Sequence, residues 1–217
     1  MAAVPMRSEY GPTLGRLLAP RWQAASRMVR ATVIAAGVAL LAAMVALALT
    51  LENSSYSHGG PVPFSFNYRD LYRVAPDPGG YVRVQERGAD GALKYSYAVD
   101  PLRLPAYSGE LFGELPVYAS GYIRELGRRY RDFVLRGEGK TRVNVNLIGY
   151  QVLYTATVEG QQVYGRDVML LPPRGGVREG VDVVMLTSTT ATTQVRSPLE
   201  VAGTGVLLRP LKTFAFG

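Results

Sequence analysis

The sequence predicts an α+β protein in which a single N-terminal transmembrane helix precedes an antiparallel sheet covered by helices. Three observations carry this. Residues 31–51 form a 21-residue run without charge or proline. Beyond residue 63, apolar and polar side chains alternate between glycine-containing turns, the period of half-buried strands. Two segments break that alternation with helix signals, residues 116–133 by apolar spacing and the stretch opening at Ser197 by a cap.

The chain divides into a basic tail (1–30), the apolar span (31–51), a linker (52–62) and an α+β domain (63–217). At about 1.5 Å per residue the span reaches roughly 31 Å, the thickness of a bilayer core. The tail carries Arg7, Arg16, Arg21, Arg27 and Arg30 against a single acid, Glu9. Positive flanks stay cytoplasmic, so the tail is expected inside and the α+β domain outside. Trp22 is expected at the cytoplasmic interface or in a short amphipathic stretch. An A-x-A cleavage pattern at Ala46-Leu47-Ala48 lies inside the apolar run. The run exceeds the about 7–15 residues of a secretory core, so an uncleaved anchor is expected.

Composition excludes several chemistries. With no cysteine in 217 residues there is no disulfide, thiol nucleophile, thiolate metal site or lipidated cysteine. One histidine, His58, leaves no multi-histidine metal site. The net charge of +7 belongs mostly to the tail, which leaves 19 basic and 16 acidic residues elsewhere. The outer domain is close to balanced, and nucleic-acid binding is not expected.

Residues 53–63 (NSSYSHGGPVP) read as a flexible spacer, polar and small with glycine and proline. His58 is expected there as an exposed linker residue, since no second ligand lies nearby. Asn53-Ser54-Ser55 matches a glycosylation acceptor pattern, which we read as chance so close to a membrane. Phe64, Phe66 and Tyr68 alternate with Ser65, Asn67 and Arg69, and predict the first strand. Residues 81–85 follow a Gly79-Gly80 turn, and residues 94–99 follow Asp90-Gly91. Residues 150–158 and 162–171 flank Glu159-Gly160, a further hairpin signal, and residues 181–187 add an apolar strand. The biased stretch 187–193 (TSTTATT) reads as a sheet edge or loop.

In the first helix, Ala119, Tyr122 or Ile123, Leu126, Tyr130 and Phe133 recur on one face. Arg124, Arg128, Arg129, Arg131 and Asp132 leave the other face polar, with Glu125 and Arg129 spaced for an ion pair. That arginine cluster reads as a solvated face, a phosphate or anionic-headgroup site being the alternative. In the second, Ser197-Pro198-Leu199-Glu200 supplies a capping serine, a proline at the first helical position and a glutamate at the third. Gly203 and Gly205 weaken its body, and it is expected to end near Arg209-Pro210. Residues 211–216 then return to the sheet.

With these elements in place the outer domain resembles the PsbP-like α/β/α sandwich, shared by the photosystem II extrinsic protein and the Ran nucleotide-release factor. Phe64-Ser65-Phe66-Asn67-Tyr68 resembles that family's opening FSFxYP strand, and Tyr72-Arg73-Val74 its following W-x-V. Ile148-Gly149-Tyr150-Gln151-Val152 is similar to the G-x-x-A entry to the central hairpin. Leu211-Lys212-Thr213-Phe214-Ala215-Phe216 resembles the closing il-x-SF-x-F. Arg69 replaces the usual proline, Tyr72 the usual tryptophan and Thr213 the usual serine. The resemblance covers about residues 62–216 and implies a non-catalytic assembly or interaction module.

No catalytic, cofactor-binding or metal-ligating residue is assigned from the sequence. The outer domain lacks the histidine of a Ser-His-Asp triad. Gly137-Glu138-Gly139-Lys140 lacks P-loop spacing and reads as a tight turn. Asp77, Asp90, Asp100 and Asp182 do not approach calcium-loop spacing. Tyr95, Tyr97, Tyr150, Tyr154 and Tyr164 read as core side chains with rim hydroxyls rather than as a ligand face. The expectation is a membrane-anchored, extracytoplasmic protein-interaction module, not an enzyme, whose partners are the lipid bilayer and an envelope protein. A small-molecule or lipid-binding sensory domain is the first alternative, and a carboxylate-based hydrolase the second. Oligomeric state has no sequence signal: Gly37 alone makes no G-x-x-x-G motif.

Overall fold

The charge-free run forms a helix, α1 (Arg27–Thr50), in a computed structural model that describes residues 25–50, 54–68, 73–75, 79–105, 111–173, 178–190 and 195–217. Arg7, Arg16, Arg21, Trp22, Asn53, Arg69, Tyr72, Asp77 and residues 191–193 lie outside the described residues. The chain forms two units, residues 1–50 and 51–217.

In the first unit, α1 begins four residues before the apolar run. Ser26 Oγ accepts from the Val29 N–H at 3.3 Å and starts the helix. Arg27 and Arg30 therefore stand in its first turn rather than before it. Twenty of its residues, Arg27–Ala46, are long and apolar enough to cross a membrane, and none of that stretch is buried in protein.

The second unit has three layers. A seven-stranded antiparallel sheet lies at the centre. It comprises β3 (Arg73–Ala75), β4 (Val82–Arg87), β5 (Leu93–Arg103), β6 (Arg131–Arg142), β7 (Ile148–Val158), β8 (Gln161–Leu170) and β9 (Glu179–Ser188), in the order β3-β4-β5-β9-β8-β7-β6. One face carries α2 (Leu111–Arg129); it takes the chain from β5 across to the far edge at β6. Three hairpin-linked strands then walk back until β9 closes on β5. The other face carries a three-stranded sheet of β1 (Ser54–His58), β2 (Phe64–Tyr68) and β10 (Ala215–Phe216). A 3-10 turn (Pro198–Glu200) and a short helix, α3 (Leu208–Lys212), precede β10.

Strand alternation explains the two cores. On β9, Val181, Val183 and Met185 face the small sheet, where they meet Phe64, Phe66 and Phe214. Leu186 faces α2, whose Leu115, Ala119 and Leu126 pack on Val152, Tyr154 and Met169. The turns follow local chemistry. Glu159 and Gly160 both take positive φ, 51° and 78°, as a two-residue hairpin between right-twisted strands requires. Asp90 Oδ1 accepts the Ala92 N–H at 3.0 Å and shapes the β4–β5 turn.

The structure corrects four sequence expectations. The spacer contains β1, paired to β2 from Ser54↔Tyr68 to His58↔Phe64. Its short polar residues alternate with Tyr56 and His58, whose rings cover Phe64 and Phe66. His58 is thus half-buried, stacked 5.1 Å from Phe64 and 4.4 Å from Tyr81, rather than an exposed linker residue.

The first helix spans Leu111–Arg129 instead of 116–133. Asp132 takes φ 52°, so the chain turns sharply into β6 and Phe133 joins the core from a strand, 5.3 Å from Tyr154. The spacing of Leu126, Tyr130 and Phe133 mimicked one more helical turn because all three pack in the same core. The third correction concerns Gly137-Glu138-Gly139-Lys140, which is no tight turn: it lies within β6, opposite residues 150–153. No residue of this edge strand is fully buried, and beyond Phe133 its half-buried positions are Gly137, Gly139 and Thr141, so no apolar period marks it in the sequence.

The helix expected from Ser197 is a 3-10 turn, a bridge and then five helical residues. Ala202 at φ 56° and Gly205 at φ 70° break it. Ser197 makes no side-chain cap; Glu200 Oε2 reaches back to accept the Arg196 N–H at 2.7 Å. The sheet is therefore covered by a helix on one face and by a second sheet with short turns on the other.

The buried guanidinium of Arg166 ties that far face down. It donates to the Val201 carbonyl at 2.9 Å and to Thr141 Oγ1 at 3.1 Å.

Candidate functional site

The chemistry gathers between the large sheet and α2. Asp167 on β8 and Asp182 on β9 point to the same face, because each stands at an alternate position from the valines that line the opposite core. Asp182 lies directly across from Asp100 on β5. Asp167 is fully buried and Asp182 is 5% exposed.

Two tyrosines close over Asp167. The Tyr122 hydroxyl, from α2, donates to Oδ2 at 2.7 Å, and the Tyr154 hydroxyl, from β7, donates to Oδ1 at 3.0 Å. Tyr154 reaches it by lying flat over its cross-strand neighbour Gly165, where a side chain would collide with the ring. Tyr130 stacks on Tyr154 at 5.8 Å and Phe133 leans on it, so the ring has nowhere else to go.

Burial governs the ionisation of this cluster. Desolvation, with the charge of Asp182 beside it, pushes the Asp167 carboxyl well above the usual range, against the pull of its tyrosine hydrogen bonds. Desolvation also pushes Asp182 up to about 7, with Asp100 adding repulsion while the nearby Tyr122 hydroxyl and Arg129 oppose. Tyr122 and Tyr154 are held well above the ordinary phenol range by burial and the neighbouring acids. The group holds protons at neutral pH that exposed aspartates would release.

A cleft of about 400 Å³ lies beside this cluster, with Asp182 among its lining residues. Half-buried Arg83, Asp100, Tyr118 and Tyr122 line it together with exposed Glu125 and Arg129. Tyr118 and Tyr122 stack one helical turn apart, 6.4 Å between ring centres. Asp182 Oδ1 is buried with no hydrogen-bond partner. Among the described residues no group of three or more His, Cys, Asp or Glu side chains converges to hold a metal ion. The arrangement is suited to exchanging one proton near neutrality.

We expect Tyr122→Phe to destabilise the fold by about 1–3 kcal/mol, because it strands a buried carboxyl oxygen. A denaturant midpoint unchanged from the wild type would contradict the bond.

Sequence reasoning reached part of this site. It placed Tyr122 and Arg129 on the helix and weighed Asp100 and Asp182 only for calcium spacing. Asp167 was missed. The available signal was an acid at the start of or within an apolar run, as in Asp167-Val168-Met169-Leu170 and Val181-Asp182-Val183-Val184. The arginine cluster does not converge: Arg124 and Arg128 are exposed, Arg129 turns to the cleft, and Arg131 starts β6. Tyr97, Tyr150 and Tyr154 are core residues as expected, and Tyr95 and Tyr164 pack partly buried against the core.

The layers and topology define a PsbP-like α+β sandwich, here with an acidic, tyrosine-walled cleft beneath its crossover helix. Its opening and closing motifs are spatial neighbours. β10 pairs with β2, and Thr213 Oγ1 accepts the Asn67 N–H at 2.9 Å.

Among solved structures, LpqN of Mycobacterium tuberculosis, described as involved in cell envelope biogenesis, is similar over 75% of this chain and 90% of its own. The TM-score is 0.52 at 11% identity. The Ran-binding protein Mog1p of Saccharomyces cerevisiae is similar over 76% of this chain and 95% of its own, with a TM-score of 0.48 at 13% identity. At such identities the likeness is one of fold. No family profile matches the sequence, and no curated protein does.

Proposed function

We propose that this chain is a membrane-anchored, extracytoplasmic module of the cell envelope that works by binding another envelope protein, without catalysis of its own. One observation carries the reading: an apolar helix whose stretch Arg27–Ala46 is not buried in protein, followed by a separate α+β unit. A bare apolar surface of that length needs lipid around it. The arginines at 7, 16, 21, 27 and 30 favour a cytoplasmic tail. The fold shared with LpqN, described as involved in cell envelope biogenesis, supports an envelope role.

The absence of cysteine makes the test direct. Ser8→Cys in the tail and Ser120→Cys on the exposed face of α2 are labelled in intact cells with a membrane-impermeant maleimide. Labelling of Ser120→Cys alone is expected; labelling of Ser8→Cys alone overturns the orientation, and recovery of the chain in the soluble fraction overturns the anchor. Crosslinked membranes are then used to capture the full chain, with a version lacking residues 52–217 as control. A specific envelope protein lost with that deletion is expected; the same set of proteins captured by both overturns the binding role.

A further inference from the structure

On the sheet face away from α2, a groove of about 550 Å³ lies between the strands and the 3-10 turn that packs on them. Leu153 and Thr155 of β7 and Tyr164 of β8 line it from the sheet. Tyr164 stands directly across from Thr155, while Val152, Tyr154, Ala156 and Val163 alternate into the α2 core. Arg136 enters from the edge strand β6, its Nε donating to Thr155 Oγ1 at 3.3 Å. Arg196, Ser197 and Leu199 enter from the turn and its approach. Apolar surface thus adjoins two guanidiniums, and Leu199 is 62% exposed.

The groove is cationic. Among the described residues no carboxyl lines it, and neither Arg136 nor Arg196 makes an ion pair. The acids carried by the same elements are turned away or engaged. Glu138 stands opposite Val152, on the α2 face, and Asp167 is bonded to Tyr122 beneath α2. Asp132 takes the Thr157 hydroxyl at 2.8 Å, and Glu200 takes the Arg196 backbone N–H at 2.7 Å. A third guanidinium, Arg166, stands across from Leu153 on the same face. It is 8% exposed, its partners are a carbonyl and a hydroxyl, and its Nε has none. Neutral acceptors leave that charge uncancelled, and burial reduces its screening by solvent.

We propose that this groove binds an anionic amphiphile, a phosphate monoester whose oxygens take the Arg136 and Arg196 guanidiniums and whose aliphatic group lies on Leu153 and Leu199. Guanidinium forks match phosphate oxygens in pairs. Ser197 Oγ, which caps nothing, is a further donor. A phosphate monoester carries nearly two negative charges at neutral pH and so balances the two lining arginines, where a carboxylate leaves one unmatched. A cation meets the field of three arginines. A phospholipid headgroup and a soluble phosphate monoester both supply this chemistry. The site lies within the α+β unit and rests neither on the membrane anchor nor on a protein partner.

The test titrates the full-length protein, in nanodiscs of phosphatidylcholine, with n-butyl phosphate, n-butyltrimethylammonium and n-butanol, followed by the methyl signals of carbon-13-labelled leucine. We expect n-butyl phosphate to shift Leu153 and Leu199 and the other two probes to leave them in place. Arg136→Gln combined with Arg196→Gln should weaken n-butyl phosphate at least about tenfold. Both side chains are exposed, so the denaturant midpoint of that variant should stay near the wild-type value. Leu199→Ala should weaken n-butyl phosphate about threefold, read at Leu153, and leave inorganic phosphate unchanged. Discs containing phosphatidic acid separate the two sources: loss of n-butyl phosphate binding there assigns the ligand to the membrane, and undiminished binding assigns it to solution. Three results would each overturn the proposal: no shift with n-butyl phosphate up to about 50 mM, equal binding of either control probe, or equal affinity in the double variant.

Discussion

Asp182→Asn stabilises the full-length protein at pH 8 and leaves it nearly unchanged at pH 4. The reason is the direction in which folding moves this carboxyl. An unfolded chain ionises it near its ordinary value of 3.8, the folded chain near 7. Between those values the folded state holds a proton that the unfolded state has released, so stability falls as pH rises, by about 1.4 kcal/mol per unit. The contribution is complete below pH 4, is lost progressively up to pH 7, and changes no further above.

Asparagine is neutral throughout and escapes that loss. The gain at pH 8 is on the order of 2–4 kcal/mol, the lower figure allowing for the amide's own burial. Asp167, pushed up by the same desolvation, adds to the wild-type decline in the same direction. Denaturant midpoints of wild type and variant at pH 4, 6 and 8 check this. A difference that does not grow between pH 4 and 8 contradicts a carboxyl that is protonated by burial.

Gly165→Ala is expected to destabilise the protein by about 3 kcal/mol, near the upper end for an added methyl in a packed core. A Cβ at that position falls 2.3 Å from two carbons of the Tyr154 ring and 2.8 Å from a third. The ring has no room to withdraw, because Tyr130 and Phe133 hold its other side and Asp167 holds its hydroxyl. The melting temperature should drop by roughly 10 °C in a unit of this size.

Gly121→Ala is the control. It lies on α2 with nothing within 4 Å of the added carbon, so alanine there should be neutral or slightly stabilising. Placing Gly165→Ala in a Tyr154→Leu background isolates the clash: the alanine should then cost less than about 1 kcal/mol. Equal cost in both backgrounds would place the strain elsewhere.

The strands that one face buries were legible because burial writes a period into the sequence. Phe64-Ser65-Phe66 and residues 81–85, 94–99 and 181–187 all became strands at or near their expected bounds. Elements whose residues serve two neighbours at once were not. Tyr130 and Phe133 pack in the core of α2 from beyond its end, and β6 carries no apolar period because its half-buried positions beyond Phe133 are glycine and threonine. β1 was hidden by small polar residues that are half-covered or exposed on the edge of a sheet.

The candidate site was legible only as an oddity, an acid within an apolar run. Nothing in the spacing of Asp100, Asp167, Asp182 and Tyr122 announces that they meet, since they come from three strands and a helix separated by up to 82 positions.

By itself the sequence determined the apolar span, the polarity of its flanks, the α+β class and the motifs of a PsbP-like sandwich. These depend on local composition and on the period of burial, which are properties of contiguous residues. The tertiary structure alone decided that β9 closes against β5, that Tyr154 lies across Gly165, and that two aspartate carboxyls are pushed above their ordinary range beneath α2. Each depends on which distant residues exclude water from one another, and ionisation follows that exclusion rather than residue type.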